Sequence, residues 1–292
     1  DDVPLTASTW GPIVNEFDSL NGGTRTRIRS ALERIDRVFC VSRAVERNLQ
    51  RIDPDVETLV VPHGADPARF PVDDRDALRR EFGVPADATL VLYVGHFTEK
   101  KGVHDLLAVL PALADTDLFV SFVGHGGDLR AEVEAAVDDD ATPPGAVHWE
   151  LDPVDVRRWF AAADALVLPS YTEGRPTVIY EAMASATPVL ATGVGGIPEQ
   201  VADGETGWLL DPGDRDALRE HLRALEEEPL APVGAAGRRR LEDQGWTWSA
   251  HADRIVNAHH ALLAERRTDA TTTDHGRRPP DAVSDDVARD GA

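Results

Sequence analysis

Between about residues 86 and 230 the sequence alternates short, continuous apolar runs with amphipathic stretches, and this rhythm restricts the fold more than any other feature. The runs at 89–94, 118–123, 165–168 and 188–191 are too short for helices and are apolar at nearly every position. They read as strands buried on both faces, the signature of a parallel sheet. Helical spacing of apolar residues predicts helices at 42–51, 103–113, 154–160, 178–184 and 215–227, the last closing the series. Gly and Pro mark the joints, as at Pro62-His63-Gly64, Gly124-His125-Gly126-Gly127 and Gly193–Gly196. The expected class is α/β, with one complete Rossmann-like domain over 61–245.

Residues 1–60 carry less: a strand at 4–8, a helix near 24–34, a strand at 37–41 and the helix after Ser42. That is too little for an independent doubly wound domain, so it is read as part of one, followed by a hinge. A helix over 246–267 is expected to return toward it. From Thr268 to Ala292 large apolar residues nearly vanish, which predicts a disordered acidic tail. The only methionine is Met183, so Asp1 is not a translation start and the chain is expected to be truncated at its N-terminus.

The formal net charge of −22 argues against nucleic acid as a partner, because a polyanion would be repelled. Asp outnumbers Glu, and Lys100 and Lys101 are the only lysines beside many arginines, which we read as a surface adapted to high salt of the haloarchaeal type. A lone cysteine, Cys40, excludes an internal disulfide and suits a cytoplasmic setting, where it is expected to be a small buried apolar group. No run approaches the ~20 apolar residues that span a bilayer.

The segment from Leu168 to Met183 concentrates the chemistry. It ends a buried strand, turns through Pro169, Gly174 and Pro176, and opens a helix at Thr177 and Val178. The N–H groups that start a helix have no partners within it, so an anion such as a diphosphate can dock there, outside the carboxyl end of a parallel strand. Glu173 precedes this helix end and Glu181 lies inside the helix, and both carboxylates can accept hydrogen bonds from ligand hydroxyls. Spacing alone is weak evidence: Glu220 and Glu228 share it within an acidic helix that has no turn.

The segment resembles the PS-x-x-EG-x-P/G-x-x-x-x-EAMA-x-x-x-PV pattern of the family-4 retaining glycosyltransferases of GT-B fold. Four further stretches follow in that family's order. They are Val61 to Asp66 with Phe70 for the interdomain hinge, Val94-Gly95-His96 through Lys101-Gly102 for G-R-x-x-x-x-K-G, Val123-Gly124-His125-Gly126 for V-G-x-G, and Gly195-Gly196-Ile197-Pro198-Glu199 for G-G-x-P-E. The resemblance covers roughly residues 36 to 230. It implies a donor domain that binds a nucleoside-diphosphate sugar and passes the sugar, with retention at the anomeric carbon, to a hydroxyl of a glycan, glycolipid or small molecule.

By that resemblance, Lys101 contacts the donor diphosphate, Glu181 holds the ribose and Glu173 sits by the transferred sugar, so Glu173 and Lys101 are the expected catalytic pair. Gly95, His96, Arg175, Pro176, Thr177, Val178, Gly124, Gly126, Gly195 and Gly196 complete the expected donor site. His96 departs from the pattern, standing where the family has an arginine; if cationic, it would help neutralise phosphate charge. Arg175, inside the Glu173 turn, is either a replacement cation for the phosphates or a salt-bridged surface arginine. Near the start, Ala7-Ser8-Thr9-Trp10-Gly11 resembles the acceptor-domain strand ending T-x-H-G, with Trp10 in place of the histidine, which removes a polar group from the cleft.

No HExxH-type spacing is present and the aspartate clusters suit an acidic surface, so no metal and no cofactor are expected beyond the donor substrate. The glycine turn at 124–127 lacks G-x-G-x-x-G spacing, which argues against a nicotinamide. The expected partners are a nucleotide-sugar and a sugar or lipid-linked acceptor, with room for peripheral membrane association through residues ahead of Asp1. Two alternatives stay open: a non-catalytic nucleotide-sugar-binding module, motivated by His96, Trp10 and the short first unit, and another GT-B enzyme such as an epimerase or a phosphorylase.

Overall fold

A computed structural model of the chain describes residues 3–70 and 75–274. Two parallel sheets organise it. The first has the order β1-β2-β3, from Thr6–Thr9, Arg37–Cys40 and Thr58–Val60. The second joins β4 (Thr89–Gly95), β5 (Leu118–Gly124), β6 (Gly145–Trp149), β7 (Ala165–Leu168), β8 (Val189–Thr192) and β9 (Gly207–Leu210) in the order β6-β5-β4-β7-β8-β9. The first unit adds helices α1 (Pro12–Asn15), α2 (Gly22–Leu32) and α3 (Arg43–Ile52). The second adds α4 (Arg75–Glu81), α5 (Val103–Val109), α6 (Arg130–Val137), α7 (Pro153–Ala162), α8 (Thr177–Ala184), α9 (Ile197–Gln200), α10 (Arg215–Ala224) and α11 (Leu230–Asp243), and α12 (Trp248–Asp274) follows.

The strand order fixes where a site can form. From β4 the chain steps outward through β5 to β6, then returns to the other side of β4 and steps outward through β7, β8 and β9. The reversal lies between β4 and β7, and a crevice opens outside their carboxyl ends, because the crossovers leave in opposite directions there.

The continuous apolar runs are explained by a core on each face of this sheet. Leu90, Leu92 and Val94 of β4 pack with Trp159, Phe160 and Ile179 on one side, and Val91 and Tyr93 with Leu106, Leu110 and Phe122 on the other. Each such fully buried side chain contributes about 1.5–3 kcal/mol relative to exposure. The first unit has a smaller core, in which Cys40 is completely buried beside Val38, Val45 and Leu49, and burial pushes its thiol pKa up to about 12.

Several sequence expectations need correction. The helix expected over 103–113 is α-helical only to Val109 and continues as a 3-10 turn through Leu113, because Pro111 has no N–H to carry an α-helix on. The helical series does not close near residue 227: α11 follows, with two glycines and a proline that mask its periodicity. One of these glycines has a packing reason, since a Cβ on Gly234 would lie 1.9 Å from the Ala186 carbonyl oxygen. Strands β3, β6 and β9 also escaped, all short and only partly buried.

Helix α12 crosses back to the first sheet, where Ala258 packs with Phe39 and Val61 and the His259 ring nitrogen Nε2 lies 2.9 Å from the Thr6 hydroxyl. It runs to Asp274, into the stretch read from composition as a disordered tail. The rest of that expected tail, 275–292, lies outside the described residues.

Candidate functional site

The chain ends β4 at Gly95 and reaches α5 through a 3-10 turn, Glu99–Lys101, closed by Gly102 in the left-handed region at φ 67°. A Cβ on Gly102 would lie 1.8 Å from the Pro169 carbonyl oxygen, so this turn rests directly on the backbone that leaves β7. The Tyr171 N–H donates to the Lys100 carbonyl at 2.9 Å, and Tyr171 Oη donates to Asp105 of α5 at 2.6 Å. These contacts lock the loops after β4 and β7 together. They bring Lys101 Nζ to 2.7 Å from Glu173 Oε1, which also accepts from the Ser170 hydroxyl at 2.9 Å. Glu173 is buried, whereas the Lys101 side chain keeps 28% of its surface and two further donors.

Three recesses run side by side along this crevice. A 310 Å³ recess lies between Trp10 and Asn15 of the first unit and Lys101 and Glu173 of the second. A 230 Å³ recess shares His96, Lys101 and Glu173 with it and is walled by Pro176, Thr177 and Val178. A 510 Å³ recess shares Gly95, His125 and Val178 with the second and continues past Gly124 to Glu150 and Leu151. Helix α8 starts at Thr177 with no side chain capping it, so its first amide groups face the central recess unpaired.

The sequence-predicted residues separate into groups. Lys101, Glu173, His96, Gly95, Gly124, Pro176, Thr177 and Val178 all line the crevice. Glu181 sits half-buried in the second turn of α8, its carboxylate without a hydrogen bond among the described residues, and lines none of the three recesses. Burial raises its pKa, with Arg157 offsetting part of the effect. Gly126, Gly195 and Gly196 act through backbone approach. Gly126 accepts the Phe97 N–H at 3.2 Å, and a Cβ on Gly195, at φ 55°, would lie 1.9 Å from the Glu173 carbonyl oxygen. Gly196 N–H donates to the Gly174 carbonyl at 2.9 Å, so the glycine loop buttresses the Glu173 turn from behind.

Two expectations about cations are corrected. The His96 ring lies tilted against that of His125 with ring centroids 4.1 Å apart, and burial, then the His125 charge, then Lys101 lower its pKa. It is therefore neutral at pH 7 in the free protein and offers a hydrogen bond rather than a charge. Arg175 does not reach the crevice. It is buried on the opposite side of its turn, donates to Glu199 at 3.0 Å and to the Tyr180 hydroxyl, and lies 4.7 Å from the Trp246 ring centroid. It is salt-bridged, as the second alternative has it, but buried rather than on the surface.

Sequence reasoning missed the residues of the first unit that reach across. Asn15 Nδ2 donates to the Glu173 carbonyl at 3.1 Å, and the Ser42 hydroxyl to the Gly174 carbonyl at 3.0 Å. A Cβ on Gly174 would fall 1.8 Å from the Trp10 carbonyl oxygen, so the two units meet backbone to backbone. Nothing local in the sequence marks Asn15, which sits in a four-residue helix and acquires its role from a residue far along the chain. Trp10 is 68% exposed on the rim. Among the described residues no group of three or more His, Cys, Asp or Glu could hold a metal ion, and no helix is long and apolar enough to cross a membrane.

Comparison with known proteins bears on the fold and the family. The chain is 35% identical over 301 aligned residues to the D-inositol 3-phosphate glycosyltransferase of Streptomyces avermitilis, covering 90% of this chain and 63% of that protein. It is 34% identical to the alpha-maltose-1-phosphate synthase of Mycolicibacterium smegmatis, covering 89% and 73%. The chain thus spans about two thirds of the length of these relatives, and half of others such as the Arthrobacter D-inositol 3-phosphate glycosyltransferase. Among solved structures, the sucrose-phosphate synthase of Thermosynechococcus elongatus superposes with a TM-score of 0.78 at 28% identity, covering 89% of this chain and 68% of that one. The Anabaena protein HepE in complex with UDP-glucose gives a TM-score of 0.74 at 20% identity, over 88% and 72%, and shares the fold. The sequence model of the glycosyl transferases group 1 family matches residues 74–245, and the chain belongs to that family.

Proposed function

We propose that the chain forms the donor-binding part of a retaining glycosyltransferase, which moves a sugar from a nucleoside diphosphate to an acceptor hydroxyl. The observation that carries this reading is the convergence of Lys101, the open amides of α8 and the Glu173 carboxylate at the switch point between β4 and β7. The three connected recesses suit an elongated ligand: the base beside Gly124 and Leu151, the diphosphate between Lys101 and Thr177, and the sugar between Glu173 and Trp10.

In the reaction the bond from the anomeric carbon to the departing phosphate oxygen breaks while the acceptor oxygen bonds that carbon. The acceptor proton passes to the departing diphosphate on the same face of the sugar, so no protein nucleophile is required. Catalysis is positional and electrostatic. Lys101 and the Thr177 and Val178 amides stabilise the growing phosphate charge. Glu173 accompanies the positive charge at the sugar carbon, held by Ser170 and Lys101. Glu181 accepts from the ribose hydroxyls, and its raised pKa gives it a reason to gain such donors.

Calorimetric titration with nucleoside diphosphates tests the assignment. Lys101→Ala is expected to weaken binding by about 1.5–3 kcal/mol, the worth of a charge-assisted contact. Unchanged affinity in that variant sinks the phosphate role. Glu181 is tested separately by comparing ribo- with dideoxyribo-nucleotides, and equal affinity for the two in the wild type removes its role at the ribose.

A further inference from the structure

Behind the Glu173 turn lies a cavity of 380 Å³ that shares no lining residue with the crevice. Arg43 of the first unit, Arg175 and Glu199 of the second, Trp246 just ahead of α12 and Arg254 within it contribute to its wall. A ligand held there touches both units and the helix that returns between them.

Its charge runs against that of the chain. Glu199 is the only carboxylate among the lining residues, and it is already saturated. Its Oε1 accepts the Ala44 N–H at 3.0 Å, while its Oε2 accepts the Arg43 N–H at 3.1 Å and the Arg175 guanidinium at 3.0 Å. The side chains of Arg43 and Arg254 have no hydrogen bond or ion pair among the described residues. Arg254 is half-buried and close enough for its charge to act on the Tyr180 hydroxyl that Arg175 holds. A fourth guanidinium, Arg240, lies 5.5 Å from the Trp246 ring centroid and donates to the backbone carbonyls of Gln200 and Glu199 rather than to an acid. Three guanidinium groups thus line the cavity beside one carboxylate, with Arg240 beside the Trp246 ring, in a protein of net charge −22.

We propose that this cavity binds a small phosphate monoester. Guanidinium forks match phosphate oxygens in pairs, and arginine carries its charge at every physiological pH. The three lining guanidiniums less the Glu199 carboxylate leave two positive charges, which a dianion balances, and the Trp246 and Pro62 faces give the organic part of the ligand an apolar wall. Because Arg43 and Arg175 belong to different units, the bound phosphate joins the two units at a point separate from the Lys101 crevice.

The test uses glycerol 3-phosphate as probe and the Lys101→Ala variant as background, which weakens competing phosphate binding in the crevice. Calorimetry is expected to show one molecule bound per chain, and Arg43→Gln with Arg254→Gln to weaken that binding at least about tenfold, the loss of one charge-assisted contact or more. Arg43 is exposed, so Arg43→Gln alone keeps the fold and carries the test if the double variant unfolds. The proposal fails if no binding is seen, if the arginine substitutions leave it unchanged, or if sodium chloride at matched ionic strength gives the same heat. Loss of nucleotide binding without loss of the glycerol 3-phosphate site, or the reverse, separates this inference from the assignment of the crevice.

Discussion

Lys101 and Arg175 both stand close to Glu173, yet they serve opposite sides of one short turn. On the Lys101 side the ammonium meets the Glu173 carboxylate at a partly open crevice, next to the unpaired amides of α8. On the Arg175 side the guanidinium is buried, shared among Glu199, Tyr180 and Trp246, and Glu199 in turn caps the start of α3 in the first unit. Two charges that the fold brings to one turn therefore divide between a ligand-facing role and a load in the joint between the units. The direction in which the backbone turns at Gly174 decides which is which.

The division is broken most severely by removing Arg175. Arg175→Met leaves the Glu199 carboxylate, whose side chain keeps 24% of its surface, with only backbone partners; loss of one member of a fully buried pair costs about 3–5 kcal/mol, and solvent at Glu199 reduces this to about 1–3 kcal/mol. Denaturant unfolding is expected to show a loss of that order while nucleoside diphosphate affinity stays within about twofold, as for sites without shared partners. A large fall in nucleotide affinity at unchanged stability would return Arg175 to the crevice. Lys101→Ala should give the opposite pattern, with affinity lost and stability kept.

The joint also carries a pH signature. His63 packs between Trp10, Trp248 and His251, and burial, followed by the charges of His251 and Arg175, pushes its pKa down to about 4. A histidine lowered in the folded state is neutral there while the unfolded chain protonates. Its contribution is complete above pH ~6.5 and is lost as pH falls toward 4. The loss reaches roughly 3 kcal/mol at full protonation. Thermal unfolding from pH 7 to 4 should therefore show a falling midpoint that His63→Phe flattens; an unaltered acid limb in that variant would assign the effect elsewhere.

The smallest effect belongs to Lys100. It reaches Glu16 of the first unit at 2.7 Å, but its side chain is 64% exposed. An exposed pair of this kind is worth about 0–1 kcal/mol, so Lys100→Ala should barely move the unfolding midpoint or nucleotide affinity. If it instead matches Lys101→Ala in binding, the two lysines share the phosphate role and the separation drawn here is too sharp.

Much of the architecture was legible in the sequence because strands buried on both faces must be apolar throughout. The runs that became β4, β5, β7 and β8 stood out for that reason, as did the strand–turn–helix around Glu173. Strands β6 and β9 escaped because they are only partly buried at the sheet margins and look like loop sequence. Helix α11 escaped because its glycines serve contact with the turn after α8 rather than helix propensity.

By itself the sequence determined the α/β class, the strand–turn–helix that sets Glu173 beside the α8 amides, and the burial of Cys40, since local periodicity and turn chemistry encode these directly, while the meeting of Glu173 with Lys101 from the loop after another strand is tertiary. Tertiary structure alone decided that Arg175 faces the joint, that His96 is neutral beside His125, and that Asn15 and Ser42 hold the Glu173 turn from the other unit. Direction of approach, burial and the charges of distant neighbours arise only when segments far apart in the chain come together.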